Sequence, residues 1–382
     1  MWDDTAITRR LGIRYPIVQG PFGGGLSSAR LVAAVSNAGG LGSFGAQGMT
    51  PNRISEVVRE IRALTASPFA VNLWVSTEDV SASWTTRSTY ETALVPLAPF
   101  FSELRVPPPT FPLRGWATFD EQVSALLDAR PPVFSFVFGV PPMPVIDECR
   151  RRSIVTIGAA TTVEEAVALE VSGVDVVVAS GFEAGGHRPS FLRSPETSLT
   201  GLFSLLPQVC AAVEVPVIAA GGIADGRGIA AALALGAEGV QIGTAFLACE
   251  ESNAPLAHRD ALLGSRAVDT VLTRAFSGRL ARGLRNTLAD ALENRSSSFL
   301  PYPQQSQLVG ALRDEAIRRE RVDLISLWSG QSSSLLRHRQ AKELFQGLVE
   351  GTGRTLNGQA QGADGYSYLA SLPKIVARRG DK

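Results

Sequence analysis

One short polar segment, residues 181–191, holds the side chains whose types and spacing best suit chemistry. It contains Glu183, His187 and Arg188 among three glycines, and it follows an apolar, β-branched run that predicts a buried strand. Glycine lets the backbone turn sharply and approach a ligand closely. Because α/β enzymes often present an ionisable group on a loop after a rigid strand, His187 is a candidate functional residue. The alternative is a loop histidine that makes only a local hydrogen bond.

The surrounding sequence alternates between strand and helix patterns. Eight strand-like runs lie at residues 15–19, 39–45, 69–74, 133–138, 154–157, 174–179, 217–219 and 239–242. Strands and helices in this alternation are what a (β/α)8 TIM barrel of the α/β class requires. A doubly wound sheet is the alternative, but it typically has fewer strands, and the loop at 20–25 lacks its helix-opening GxGxxG pattern. We therefore predict a barrel whose active face collects the loops at the carboxyl ends of the strands.

Two regions depart from this alternation. Residues 76–118 are rich in Ser, Thr and Pro, and a connection of that length is typical of a lid, an excursion or a small subdomain. From residue 254 the alternation stops, and helical periodicity returns at 307–325 and 335–349. We predict a barrel over residues 1–253, interrupted at about 76–118, and a smaller, mainly helical addition over residues 254–382.

Composition excludes several classes of function. Of the 382 residues, 45% are apolar and 19% are charged, which is typical of an ordered globular protein. Lys and Arg together number 36, as do Asp and Glu, so we expect no nucleic-acid partner and no polybasic membrane contact. No uncharged apolar run approaches the roughly 20 residues that span a bilayer, and the N-terminus lacks the apolar core of a signal peptide. Three cysteines without a CxxC pair fit reduced thiols in a cytoplasmic protein, and widely separated histidines predict no metal site.

Two glycine turns predict a phosphate site. Gly221 and Gly222 follow the seventh strand, and Gly243 and Thr244 follow the eighth. Each turn presents backbone N–H groups at a positive helix end, and barrels often bind phosphate between these two loops. The group attached to the phosphate would extend over the barrel mouth. Backbone-rich and amide-bearing positions there suit the edge and flat face of an isoalloxazine: Gly20, Pro21, Phe22, Asn72, Ser180 and Gly185.

Several motifs together resemble the nitronate monooxygenase family, formerly called the 2-nitropropane dioxygenases. The matching segments are PIVQGP at 16–21, GGLG at 39–42, VNL at 71–73, GFEAGGH at 181–187, AGGIAD at 220–225, QIGT at 241–244, PYP at 301–303 and LWSGQ at 327–331. The EAGGH sequence at 183–187 is the most specific of them. The resemblance covers residues 13–331 and implies an FMN-dependent barrel enzyme for which NAD(P)H is not an obligatory partner.

The resemblance also implies roles for individual positions. His187 corresponds to the catalytic histidine, and many relatives have a glutamine where this chain has Ser180. The shorter side chain is expected to weaken that flavin contact or to route it through water. The predicted cofactor-binding residues are Gly20, Pro21, Phe22, Asn72, Ser180, Gly185, Gly186, Gly221, Gly222, Gln241, Ile242, Gly243 and Thr244.

The predicted activity is the FMN-dependent oxidation of alkyl nitronates or nitroalkanes by dioxygen to carbonyl compounds and nitrite. His187 would either anchor the nitro oxygens or abstract the α-proton of a neutral nitroalkane, since an ordinary histidine pKa of about 6.5 allows both. The predicted partners are the small substrate and dioxygen, and a homodimer is left open. The alternatives are an NAD(P)H-dependent enoyl-thioester or quinone reductase on the same scaffold, and an accessory flavin-binding protein without turnover. A barrel of the IMP dehydrogenase type is discounted, because it needs a loop cysteine.

Other polar and aromatic side chains have simpler structural interpretations. Arg188 is expected to pair with Glu183 or with a helix end, and Asp225 is expected to lie at the start of a helix. Three aromatic residues could be either pocket walls or packed core: Phe22, Trp74 and Tyr302.

Overall fold

A barrel of parallel strands forms the centre of the protein. The structure is a computed structural model that describes residues 2–76, 78–113, 116–293 and 298–358. The barrel strands, numbered in chain order together with those of a second sheet, are β1 (Ile17–Gln19), β2 (Gly42–Gly45), β3 (Phe69–Trp74), β4 (Val133–Val137), β5 (Val155–Ala160), β6 (Val176–Ser180), β8 (Val217–Ala220) and β9 (Gly239–Ile242). The second sheet consists of β7 (Gly186–His187), β10 (Thr270–Thr273) and β11 (Ala281–Leu284).

Neighbouring barrel strands are parallel, and the barrel closes between β1 and β2. The strand order is β1-β9-β8-β6-β5-β4-β3-β2, and a parallel bridge between Val18 and Leu41 joins the two ends of this series. The predicted (β/α)8 TIM barrel is therefore confirmed. β3 and β9 have the predicted bounds. β2 begins later than predicted, because Gly39 has a left-handed φ of 99° and turns the chain before the strand starts.

Side chains alternate between the inside and the outside of the barrel. In β6, Val176 belongs to the inner apolar cluster, whereas Val177 belongs to the larger cluster between strands and helices. This is the period of two expected along a barrel strand. Helix α1 (Ala6–Leu11) adds Ile7 to the inner cluster, and Ile7 lies next to Gly239, the first residue of β9. The first helix therefore covers the amino ends of the strands and leaves the carboxyl ends open.

Helices surround the barrel, and local capping groups begin several of them. The Oγ atom of Ser28 accepts from the backbone of Leu31, and Thr50 caps the helix that Pro51 opens. Asp225 caps the helix Gly226–Ala234, as expected. Among the described residues, no helix is both long and apolar enough to cross a membrane. The helices that surround the barrel are α2 (Ala29–Asn37), α3 (Pro51–Leu64), α6 (Phe119–Ala129), α7 (Met143–Arg151), α8 (Val163–Val171), α9 (Leu202–Ala212), α10 (Gly226–Ala234) and α11 (Thr244–Leu247).

The long connection after β3 is a helical excursion that packs on the C-terminal part of the chain. It contains a 3-10 turn (Val80–Trp84), α4 (Arg87–Leu94) and α5 (Ala98–Leu104) before α6 resumes the barrel pattern. An ion pair between Glu103 and Arg321 joins the two regions. The excursion is thus fixed to residues that lie far away in the sequence.

The second sheet is a feature that the sequence did not predict. β10 and β11 form an antiparallel hairpin, and β11 also pairs with β7, which places His187 opposite Ala281. The sequence of this hairpin indicated only a basic, glycine-containing segment. A strand of two residues such as β7 has no periodicity of its own and exists through pairing with a distant partner.

The two predicted C-terminal helices are displaced. The first is α14 (Gln304–Arg318), which ends before Glu320, where φ is 56°, and is followed by a 3-10 turn. The second is α15 (Ala341–Leu356), whose buried stripe includes Leu344 and Leu348, whereas the predicted start at Leu335 lies in a separate 3-10 turn. Two shorter helices precede them, α12 (Leu256–Leu263) and α13 (Thr287–Leu292). Residues 359–382 of the predicted addition lie outside the described residues.

Candidate active site

His187 lies at the carboxyl end of the barrel, in the short strand β7. Gly186 has a φ of 76°, which glycine adopts without strain, and His187 pairs with Ala281 of β11. Gly185 is closely packed, since a Cβ atom there would lie 2.5 Å from the backbone nitrogen of Gly330. Backbone pairing and close packing therefore hold this loop in place and present the imidazole in a defined orientation.

Aromatic side chains enclose the imidazole of His187. The ring centroids of Trp74, Phe138 and Trp328 lie 4.9, 6.4 and 5.1 Å from the imidazole centroid. The Nε2 atom lies 2.8 Å from Oγ of Ser277. Among the described residues, the Nδ1 atom has no hydrogen-bond partner. The ring thus has one nitrogen held by the protein and one nitrogen available to a ligand.

This environment keeps the imidazole neutral. Burial, and after it the charge of nearby Arg279, lower the pKa of His187 from 6.5 to about 3, because both disfavour the imidazolium ion. The residue still keeps partial solvent exposure. A neutral imidazole has one N–H donor and one acceptor nitrogen, so His187 can donate a hydrogen bond or accept a proton.

Arg279 is a buried cation beside His187. The carbon at the centre of its guanidinium lies 4.3, 4.5 and 5.4 Å from the ring centroids of Phe138, Tyr302 and Trp74. Phe138 and Trp74 are also walls of the His187 pocket. The sequence left open whether Trp74 and Tyr302 are pocket walls or packed core. Both rings flank charged or titratable groups rather than only aliphatic core.

Arg279 also ties the start of the excursion to the barrel mouth. Its Nε donates to Oδ1 of Asp79 at 2.8 Å, and its Nη1 donates to the carbonyl oxygen of Ser76 at 2.9 Å. The other Asp79 oxygen accepts from the backbone N–H of Tyr302 at 3.0 Å. The excursion and the C-terminal part of the chain therefore meet beside His187 through one partly buried ion pair.

The two predicted glycine turns lie side by side, because they follow the adjacent strands β8 and β9. Gly221 and Gly222 have φ values of 108° and 71°, and the carboxylate of Asp225 caps α10 just beyond them. The loop after β1 joins the same edge, since the backbone N–H of Gly20 donates to the carbonyl of Ile242 at 2.9 Å. The loops after three barrel strands thus form one continuous rim.

Backbone donors in these turns are available to an anion. The N–H groups of Gly222 and Ile223 have no hydrogen-bond partner among the described residues. Thr244 begins α11, so its N–H has no acceptor within that helix. A Cβ atom at Gly243 would meet only the ring of Phe22, at 3.8 Å. Unpaired N–H groups beside open glycine backbone fit a phosphate group.

The remaining residues predicted to bind flavin lie on the same face and differ in solvent exposure. Asn72 is buried, and its amide donates to Oγ of Ser135 at 3.0 Å. Ser180 ends β6 and is also buried, whereas Gln241 is half-buried. The side chain of Ile242 is fully buried in the cluster between strands and helices, so this residue can contribute only its backbone. All the predicted positions, including Pro21, lie at or near the carboxyl ends of the barrel strands.

Arg188 does not pair with Glu183, the first of its two expected partners, but it does bond to the carbonyl that ends the short 3-10 helix Pro195–Thr197. The Arg188 side chain is buried and donates to the backbone carbonyls of Gly181 and Ser198, and burial lowers its pKa to about 10. Glu183 instead accepts from the backbone N–H of Leu202 and so caps α9. Both side chains form hydrogen bonds with backbone groups that would otherwise be buried without a partner. In this way they shape the loop that carries His187.

Sequence reasoning missed several residues of this site, namely Asp79, Ser277, Arg279 and Trp328. Trp328 belongs to the LWSGQ segment that was matched to the family but was given no role, so that motif was a usable signal. Ser277 and Arg279 lie in a stretch that looked only basic and glycine-containing. Among the residues that the structure describes, no group of three metal-ligating side chains occurs.

Comparison with known proteins agrees with this geometry. A family model described as nitronate monooxygenase matches residues 4–351. The chain is 40% identical over 352 residues to a probable nitronate monooxygenase of Staphylococcus haemolyticus, covering 92% of this chain and 97% of that protein. It resembles a solved nitroalkane oxidase from Streptomyces ansochromogenes with a TM-score of 0.84 and 37% identity, over 93% of this chain and 100% of the other. It also resembles FabK from Thermotoga maritima with a TM-score of 0.72 and 29% identity, over 93% and 97%. Since these matches span nearly the whole chain, it belongs to the nitronate monooxygenase family and is an oxidoreductase.

Proposed function

We propose that the protein is an FMN-dependent enzyme that oxidises nitronates or nitroalkanes with dioxygen to carbonyl compounds and nitrite. Two nitronate ions and one dioxygen molecule give two carbonyl compounds and two nitrite ions, so atoms and charges balance. Membership of the family supports this class of substrate. The observation that carries the proposal is the position of His187. Its Nδ1 atom, which has no hydrogen-bond partner among the described residues, lies on the same barrel face as glycine turns that fit a phosphate.

FMN would be held largely by backbone groups. The N–H groups of Gly222, Ile223 and Thr244 would bind its phosphate. A Cβ atom at Gly20 would lie 3.2 Å from the Cα of Gly243, so glycine keeps these loops close enough to form one edge for the cofactor. When bound, the flavin would accept electrons from the substrate and pass them to dioxygen.

His187 would act on the nitro end of the substrate. Toward a nitronate, its Nδ1–H would donate a hydrogen bond to a nitro oxygen. Toward a neutral nitroalkane, an unprotonated Nδ1 would accept the α-proton. The rings of Trp74, Phe138 and Trp328 would exclude water from this exchange.

The test begins with the absorbance spectrum of the purified protein, which should show bound flavin. Anaerobic addition of a nitronate should bleach that absorbance, and the same addition in air should produce nitrite. The His187→Asn protein should keep its flavin and lose about 10² to 10⁴-fold in rate on a neutral nitroalkane. Wild-type rates in this variant would contradict the role of His187 as a base.

Two other outcomes would contradict the proposed activity itself. Steady anaerobic consumption of NAD(P)H with an enoyl thioester or a quinone, without oxidation of nitronates, would identify a flavin reductase on this barrel. Bound flavin that responds to none of these compounds would identify an accessory flavin-binding protein.

A further inference from the structure

The positive charge of Arg279, beside His187, affects whether the site accepts a nitronate or its parent nitroalkane. This inference rests on the proposed function and deepens it. A nitronate is an anion that needs no proton transfer before oxidation. Its parent nitroalkane is neutral and must first give its α-proton to Nδ1 of His187, which leaves a nitronate and an imidazolium ion.

A buried cation affects these two substrates unequally. Arg279 is only 7% exposed, and its guanidinium faces the rings of Phe138 and Trp74 that also flank the imidazole of His187. Walls of this kind exclude water, so the charge is screened less than at the surface. The cation therefore attracts an arriving nitronate. Proton transfer from a nitroalkane forms a nitronate and an imidazolium together, so the attraction of the cation for the one is offset by its repulsion of the other.

The counter-charge of Arg279 only partly cancels this effect. Asp79 is its carboxylate partner at 2.8 Å, but the Asp79 side chain is 29% exposed, whereas that of Arg279 is 8% exposed. Solvent therefore screens the carboxylate more strongly than the guanidinium. The pocket side of the pair keeps a net positive field.

The other two arginines near this loop, Arg188 and Arg282, have carboxylates as neighbours. Arg188 lies near Glu165 and Glu183, and Arg282 lies near Glu183. Among the described residues, Arg279 is the charged group whose electrostatic effect reaches His187.

We propose that Arg279 makes this site selective for the anionic nitronate over the neutral nitroalkane. It does so from behind the aromatic walls, by its field on the bound anion and on His187, and is therefore a positioning residue. The low pKa of His187 agrees with this, because a base whose conjugate acid has a pKa of about 3 accepts the α-proton poorly near neutral pH.

The test compares kcat/KM for a nitronate and for its parent nitroalkane in wild-type, Arg279→Gln and Arg279→Lys holoenzymes. The glutamine variant should lose about tenfold on the nitronate and gain or hold on the nitroalkane, so the ratio of the two should fall by about tenfold or more. The lysine variant should restore most of the ratio. In the glutamine variant, the acidic limb of the pH profile on the nitroalkane should also move to higher pH, because His187 regains basicity.

The matched control is Arg285→Gln. Arg285 follows β11 directly, and its guanidinium pairs with Asp290 and Glu293 near the surface rather than with groups of the pocket. Arg285→Gln also removes one arginine charge close in sequence to Arg279, but from a site away from His187. The ratio of kcat/KM for the nitronate to that for the nitroalkane should therefore stay at the wild-type value.

Equal losses on both substrates, or an unchanged ratio, in Arg279→Gln would overturn the proposal, because a merely structural arginine affects both alike. If that variant does not hold flavin, Asp79→Asn decides the question. Removal of the counter-charge should raise the ratio, and a ratio that falls or stays constant would refute the inference. If the wild-type protein oxidises neither substrate, the proposed function is refuted. If it oxidises the nitronate but the ratio of the two kcat/KM values does not change in the Arg279 variants, only the inference is refuted.

Discussion

The Nε2 atom of His187 lies 2.8 Å from the Oγ atom of Ser277. The same hydroxyl lies 3.2 Å from the carbonyl oxygen and 3.3 Å from the backbone nitrogen of Arg279. A hydroxyl can donate one hydrogen bond and accept two, so Ser277 can pair with either neutral tautomer of His187. It accepts from Nε2–H when Nδ1 is the base, and it donates to Nε2 when Nδ1–H faces the nitro group. Ser277 thus orients the imidazole in both of its proposed roles.

Replacement of Ser277 by alanine should reduce turnover without releasing flavin. The ring would lose its hydrogen-bond partner, and misplacement of a reacting group by about 1 Å costs about 10²-fold in rate. We expect kcat/KM to fall about 100-fold in Ser277→Ala and much less in Ser277→Thr, which keeps the hydroxyl. Nitrite production measures the effect, with flavin absorbance as the control for cofactor content. Full activity in Ser277→Ala would mean that the aromatic walls alone orient the ring.

The pH profile on a nitronate should lack the ionisation of an ordinary histidine. Burial and the charge of Arg279 lower the pKa of His187 to about 3, so its imidazole is neutral from about pH 5 to pH 8. We therefore expect kcat/KM to stay flat over that range, when it is measured from initial rates of nitrite formation. An acidic limb near pH 6.5 that disappears in His187→Asn would show that the imidazole titrates normally and would contradict this expectation.

Two buried histidines should make the fold less stable in mild acid. Desolvation lowers the pKa of His187 to about 3 and that of His258 to about 4. Below the ordinary pKa of about 6.5, the unfolded chain binds protons at these positions and the folded chain does not. The free energy of unfolding should therefore be highest above that pH and fall as the pH approaches the folded-state values.

His258 allows this acid sensitivity to be measured away from the pocket. Its Nε2 atom lies 3.1 Å from the carbonyl oxygen of Trp328, and glutamine offers an N–H donor that does not titrate. His258→Gln should remove roughly 3 kcal/mol of the stability lost between about pH 6.5 and pH 4. Urea unfolding midpoints at several pH values give the comparison. An unchanged slope would mean that His258 keeps an ordinary pKa in the folded protein.

A valine at position 222 should release the flavin. Gly222 has a φ of 71°, which a β-branched residue rarely adopts, and its N–H is one of the donors assigned to the phosphate. We expect Gly222→Val to be purified with little flavin absorbance. Gly12→Val is the matched control, because Gly12 has a φ of 66° at the end of α1, on the amino side of the barrel. Flavin loss in both variants would indicate general destabilisation, and retention in Gly222→Val would contradict the phosphate site.

The barrel was predictable because its elements carry local signals. The β-branched and aromatic run at Phe69–Trp74 has the predicted bounds, and a capped apolar stripe forms the helix Phe119–Ala129. Their periods of two and 3.6 residues follow from backbone geometry, which neighbouring residues alone determine. The same reasoning placed His187 in a glycine loop after the sixth strand, on the face where the phosphate turns also lie.

Local signals failed where a side chain had a choice of partners. Arg188 has Glu183 five residues away in the sequence, yet in the fold it is buried and bonds to the carbonyls of Gly181 and Ser198. A buried guanidinium is best satisfied by the acceptors that surround it, and those acceptors become known only once the loop is closed. The position of a charge in the chain therefore did not identify its partner.

The sequence by itself determined the barrel, the order of its loops and the presence of His187 on the active face. Only the tertiary structure placed Ser277, 90 residues away, and Arg279 beside that imidazole. They reach it because β11 pairs with β7, and a two-residue strand has no sequence period to predict. The protonation state of His187 depends on its burial in the fold and, after that, on the charge of Arg279. The residue type was therefore evident from the sequence, while its chemistry was decided by the fold.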